Sequence, residues 1–154
     1  MAEDRKKLRT STMLRRLFKT KSLSAFIRQN ESGMVTEDFG EYVKTFCREK
    51  NITVEGLIKN TGIERTYGHQ LVNGTRKPSR DKVLQFALAM ELEPEKAQHL
   101  LRIADKSELY PRIKRDAVII YALNNHLSFQ KTQELLYENS LTLLGGSSQY
   151  EELS

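Results

Sequence analysis

Apolar residues recur along the chain at helical spacing. Phe39, Tyr42, Val43 and Phe46 fall at i, i+3, i+4 and i+7, the pattern of one buried helix face. Thr36 is the expected cap of this helix, and Glu37 and Asp38 follow where a helix N-terminus favours negative charge. Thr53 caps a short second helix carrying Val54, Leu57 and Ile58. Thr61-Gly62-Ile63 ends it, because glycine takes the left-handed conformation that a tight inter-helix turn needs. A third helix is predicted from about Glu64 to Val72, stopping at Asn73-Gly74. Pro78-Ser79 opens a fourth, with Val83, Leu84, Ala87 and Leu88 on one stripe, and Pro94 opens a fifth through Ala104. Two more are predicted beyond Pro111: residues 112–124, apolar on most sides, and 129–138, capped by Ser128 and striped by Phe129, Thr132, Leu135 and Leu136. Leu14, Leu17 and Phe18, then Leu23, Phe26 and Ile27, mark two short amphipathic pieces near the N-terminus. Strand alternation and hairpin turns are nearly absent, and no internal repeat is read at a fixed period. The fold class expected is all-α.

The charge is uneven. Residues 1–30 hold nine basic residues against Glu3 and Asp4, a net of +7, so the remainder of a chain whose total is +5 carries −2. A basic arm on a near-neutral body points to nucleic acid or another anionic surface; a solvated leader is the alternative. The organisation expected is a basic arm over 1–35, a helical domain over 36–105, a C-terminal helical extension over 106–144 and a loose tail over 145–154. The longest apolar run, Ala117 to Leu123, is too short to span a membrane, and the N-terminus lacks the apolar core of a secretory signal. With one cysteine, Cys47, the sequence offers neither a disulfide framework nor a CxxC metal site. A reduced, cytoplasmic, soluble protein is expected.

On the helix from Glu64, positions 65, 66, 69 and 70 share one face, with 73 a turn further. They are Arg65, Thr66, His69, Gln70 and Asn73, all able to hydrogen-bond base edges or phosphates, while Ile63 and Leu71 fall on the core side. Arginine pairs with guanine and glutamine with adenine through two hydrogen bonds each. Thr53 and the first N–H groups of its helix can hold a phosphate. Arg76 and Lys77 add charge in the following loop, with Asn73 and Thr75 beside them and Arg80 and Lys82 extending the patch.

The words Leu57-Ile58-Lys59-Asn60-Thr61-Gly62-Ile63, then Leu71-Val72-Asn73-Gly74-Thr75-Arg76-Lys77-Pro78-Ser79, resemble the Cro and phage-repressor (Xre-like) helix-turn-helix family. With the helix over 36–50, the resemblance covers under half of the chain. It implies a five-helix domain that inserts the 64–73 helix into the major groove of double-stranded DNA. Base reading would then fall to Arg65, Thr66, His69 and Gln70, and phosphate contact to Thr53, Asn73, Thr75, Arg76 and Lys77. The chain departs from the family pattern at Glu64, where Ser, Thr or Asp is usual as helix cap, and at Gly68, where an aliphatic residue is usually buried.

Catalytic chemistry finds no support. No Ser-His-Asp set, paired carboxylates or glycine-rich phosphate loop occurs in a fitting context, so no catalytic residue and no cofactor is assigned. His69 reads as a groove-facing polar residue, and His99 and His126 lack the neighbours of a zinc site, so no metal is expected. Three functions of different classes fit the sequence. The first is a sequence-specific DNA-binding transcriptional regulator. The second is a helical adaptor whose extension holds a protein partner, with DNA binding secondary or lost. The third is a nonspecific nucleic-acid or membrane-surface binder acting through the amphipathic arm. A homodimer through 106–144 is expected with the first, because Ala117–Leu123 and Phe129–Leu136 carry much apolar surface; the alternative is that these two helices pack back on the helix from Pro94 as core of the same chain.

Overall fold

A computed structural model describes residues 9–31 and 37–145. The chain divides into two units, 1–36 and 37–154. All regular structure among the described residues is helical. In the first unit, α1 (Thr10–Lys19) and α2 (Leu23–Gln29) pack together, with Ser22 capping α2 by accepting from the Ala25 N–H at 3.2 Å. Leu14, Leu17, Phe18, Leu23 and Ile27 are exposed on this pair.

The second unit holds α3 (Phe39–Lys50), α4 (Val54–Lys59), α5 (Arg65–Asn73), α6 (Arg80–Ala89), α7 (Pro94–Ile103), α8 (Lys114–Asn124) and α9 (Phe129–Glu138). Local chemistry sets most of their ends. Asp38 caps α3, its Oδ1 accepting from Glu41 N at 2.8 Å; the expected cap, Thr36, lies outside the described residues. Thr53, Ser79 and Ser128 cap α4, α6 and α9 in the same way, and Pro94 opens α7. The predicted helix over 112–124 begins two residues later, after a turn that includes Pro111. The tail beyond Gly145 lies outside the described residues.

One core runs through all seven helices of this unit. Phe39, Ile58 and Leu71 share it with Phe86 and Leu100, and with Ile119, Leu123 and Leu136 of the C-terminal segment. The expected boundary near residue 105 therefore falls inside a continuous core. The apolar stretches read as dimer surface are largely used within the chain: Ile119, Ala122, Leu123 and Leu136 are all buried. Cys47 is a buried core residue whose thiol pKa is pushed up by desolvation.

A repeat that the sequence reading missed organises α6–α9. A shift of 35 residues carries Arg80-Asp81 onto Arg115-Asp116, Gln98 onto Gln133 and Leu109 onto Leu144. The backbone repeats with it. Left-handed residues occur at Glu91 and His126 (φ 53° each) and at Asp105 and Ser140 (58° and 57°). So do the hydrogen bonds. The two copies are helical hairpins, α6–α7 and α8–α9, and Gln98 closes the first by accepting from Leu109 N at 2.7 Å and donating to Leu109 O at 2.8 Å. Gln133 does the same with Leu144, at 2.7 and 2.9 Å. Each hairpin arginine also ties down its own trailing loop: Arg80 donates to Ser107 O and Glu108 O, and Arg115 to Thr142 O and Leu143 O.

Candidate nucleic-acid interface

The turn between α4 and α5 is held from beneath. Thr61, fully buried, donates its hydroxyl to Ile58 O at 2.6 Å and accepts from Ile63 N at 3.1 Å. Its own carbonyl accepts from the Gln85 amide of α6 at 3.0 Å. Gly62 sits at φ 77°, and a Cβ there would lie 2.1 Å from the Phe129 ring of α9, so glycine serves both the turn and the packing. The C-terminal hairpin thus braces the turn that aims α5.

Glu64 is the cap of α5. Its two carboxylate oxygens accept from Thr66 N and Tyr67 N, each at 2.9 Å. Those N–H bonds hold its carboxyl below the usual carboxylate range. A residue poor at capping on general propensity works here because its longer side chain folds back over the first turn. At Gly68 a Cβ would stand 2.6 Å from Ile58 Cγ2, so the departure from an aliphatic residue lets α5 lie close against α4.

With Gly68, Leu71 and Val72 buried, the opposite face of α5 is turned outward. Arg65 and Thr66 are exposed, and His69 and Gln70 are half-exposed beside them. Thr53, Asn73, Thr75, Arg76 and Lys77 are all exposed. Several of these side chains already hold one another. Arg65 forms an ion pair with Glu55 of α4, which lowers the glutamate's pKa. Gln70 Oε1 accepts from Arg76 Nε at 2.9 Å, and Asn73 Oδ1 accepts from the Thr75 N–H and hydroxyl at 3.0 and 2.6 Å. The loop after α5 therefore folds back along the outward face.

Three features of this surface escaped the sequence reading. Tyr67 forms a platform, with the Arg76 guanidinium 5.4 Å and Lys82 Nζ 5.7 Å from its ring centroid. Partial burial moves the Lys82 pKa down. Arg80, expected to extend the phosphate patch, is turned away from it: its guanidinium binds the Asp116 carboxylate at 3.0 and 2.9 Å. Asp81 is likewise held by Arg115, so the cations left to the patch are Lys59, Arg76, Lys77 and Lys82, with Arg65 paired to Glu55. The repeated Arg-Asp pair was the signal that could have placed Arg80 beside Asp116.

Elsewhere, His99 Nε2 lies 3.3 Å from Glu37, and His126 Nε2 lies 3.2 Å from Glu93. Among the described residues, no group of three or more His, Cys, Asp or Glu side chains is placed to hold a metal, and no helix is long and apolar enough to cross a membrane. No family model, curated protein or solved structure matches this chain.

Proposed function

We propose that this protein binds double-stranded DNA in a sequence-specific way, as a transcriptional regulator of the Cro and phage-repressor kind acting in the cytoplasm. The observation that carries the reading is α5 itself: a nine-residue helix, seated on α4 by Gly68, that turns Arg65, Thr66, His69 and Gln70 outward next to a basic loop. A helix of this width fits the roughly 12 Å major groove, and its N-terminal residues would meet the base edges. Arg65 would exchange Glu55 for guanine, and Gln70 would offer its amide to adenine. Thr53 and the first N–H groups of α4, with Asn73, Thr75, Arg76 and Lys77, would contact phosphates on either side. The Arg76–Gln70 bond couples the two roles, because a phosphate drawing on Arg76 releases the glutamine oxygen.

Selection of binding sites from random duplex DNA at stated salt tests this function. An enriched motif whose information is lost position by position in Arg65→Ala and Gln70→Ala is the expected result. Enrichment of nothing, or a motif unchanged by both substitutions, defeats it.

A further inference from the structure

The contacts between the two 35-residue hairpins come in exchanged pairs. Arg80 and the Tyr110 N–H bind Asp116; Arg115 and the Gly145 N–H bind Asp81. Exchanging the hairpins turns each set into the other, since 80, 110 and 116 become 115, 145 and 81. The helix contacts exchange as well: α6 packs on α9, α7 packs on α8, and α6 meets α8. An interface in which i meets j and j meets i is what a two-fold homodimer builds between separate chains. Here it closes inside one chain.

The two hairpins differ on their outer faces. In the first, Phe86 packs edge-on against Phe39 of α3 at 5.1 Å between centroids, and Gln85 anchors the turn before α5. Met90 is buried there too. In the second hairpin, the residue matching Phe86 is Tyr121, 58% exposed, and the one matching Met90 is the exposed Asn125. At these positions the face that carries α3–α5 on the first hairpin is open to solvent on the second, so the pseudo-dimer has one reading helix.

We propose that the second hairpin takes the place of a second protomer, so that the protein binds DNA as a single copy on a site without two-fold symmetry. This rests on the DNA-binding reading and specifies its target. A dimer of this domain type reads two inverted half-sites about 34 Å apart. A chain whose two-fold contact is already satisfied internally presents one α5, and with it one groove segment. Within the two apolar stretches, Ile119, Ala122, Leu123 and Leu136 are in the core, while Tyr121 stays exposed.

The test uses the full chain and the duplexes it selects. Sedimentation equilibrium at tens of micromolar, free and with a duplex bearing one selected site, is expected to show a monomer and a one-to-one complex. The selected motif should lack inverted symmetry, and two inverted copies of it should fill independently. A palindromic motif, a two-to-one complex on one site, or a free dimer overturns this inference while leaving DNA binding intact. A chain that enriches no sequence defeats the DNA reading and this inference with it.

Discussion

Replacing Asp116 by asparagine tests the bond that joins the two hairpins. Asp116 is 2% exposed and accepts three hydrogen bonds, two from Arg80 and one from the Tyr110 N–H at 2.9 Å. Asparagine keeps the shape but removes the charge and turns a donor toward the guanidinium. Removing one partner of a buried pair costs about 3–5 kcal/mol when the other charge is left uncompensated. Arg80 retains the Ser107 and Glu108 carbonyls and is a quarter exposed, so a loss of roughly 2–4 kcal/mol is expected. For a unit of this size that is a fall of about 10 °C in melting temperature. The pH dependence gives an independent check. Burial raises the Asp116 pKa, but the Arg80 bonds, the Tyr110 N–H and the Arg115 charge together bring it below the ordinary carboxylate value. A depressed folded pKa stabilises above the unfolded value, about 3.9, and that stabilisation is lost as pH falls through the folded value. The gap between wild type and Asp116→Asn, measured by urea titration from pH 7 to pH 3, should therefore be constant above about pH 5 and narrow below pH 4. A loss under about 1 kcal/mol, or a gap that does not change with pH, refutes the argument.

Gly68→Ala places a methyl 2.6 Å from Ile58 Cγ2; overpacking should outweigh the helix-propensity gain of about 1 kcal/mol and lower stability overall in urea titration. Combined with Ile58→Ala, which removes Cγ2, Gly68→Ala should cost less than it does in the wild-type background, so the double variant should lose less stability than the sum of the two single changes. Arg65→Ala should weaken binding of the selected site about 10- to 100-fold and relax preference at one base position. Lys77→Ala should weaken all sequences alike and reduce the salt slope by about one, as binding isotherms at several salt concentrations will show. Deleting residues 1–30, with their net +7, should reduce affinity and its salt dependence while sparing sequence preference.

Helices were legible because their signals are local. Ser79, Ser128 and Pro94 start helices where their side chains or ring favour it, and Gly74 ends α5 in the left-handed conformation at φ 87°. The outward set on α5 was legible for the same reason, since 3.6-residue spacing decides which side chains share a face. What escaped depends on partners far along the chain. Arg80 looks like a surface cation until Asp116, 36 residues away, is brought beside it. The 35-residue repeat is hard to see because only 11 of the 32 paired positions (79–110 against 114–145) are identical. The apolar run over 117–123 reads equally as a subunit interface or as core, because burial depends on what folds over it. Glu64 is a poor cap by average preference, whereas its two bonds to Thr66 N and Tyr67 N come from the particular path of the chain.

Amide chemical-shift mapping of the isotope-labelled full chain, titrated with its selected duplex, bears most directly on the proposal that α5 reads DNA. The account predicts the largest perturbations at residues 64–77 and at the start of α4, with side-chain signals of Gln70 and Asn73 moving in the same titration. Perturbations confined to residues 9–31, or to the second hairpin over 114–138, would contradict it.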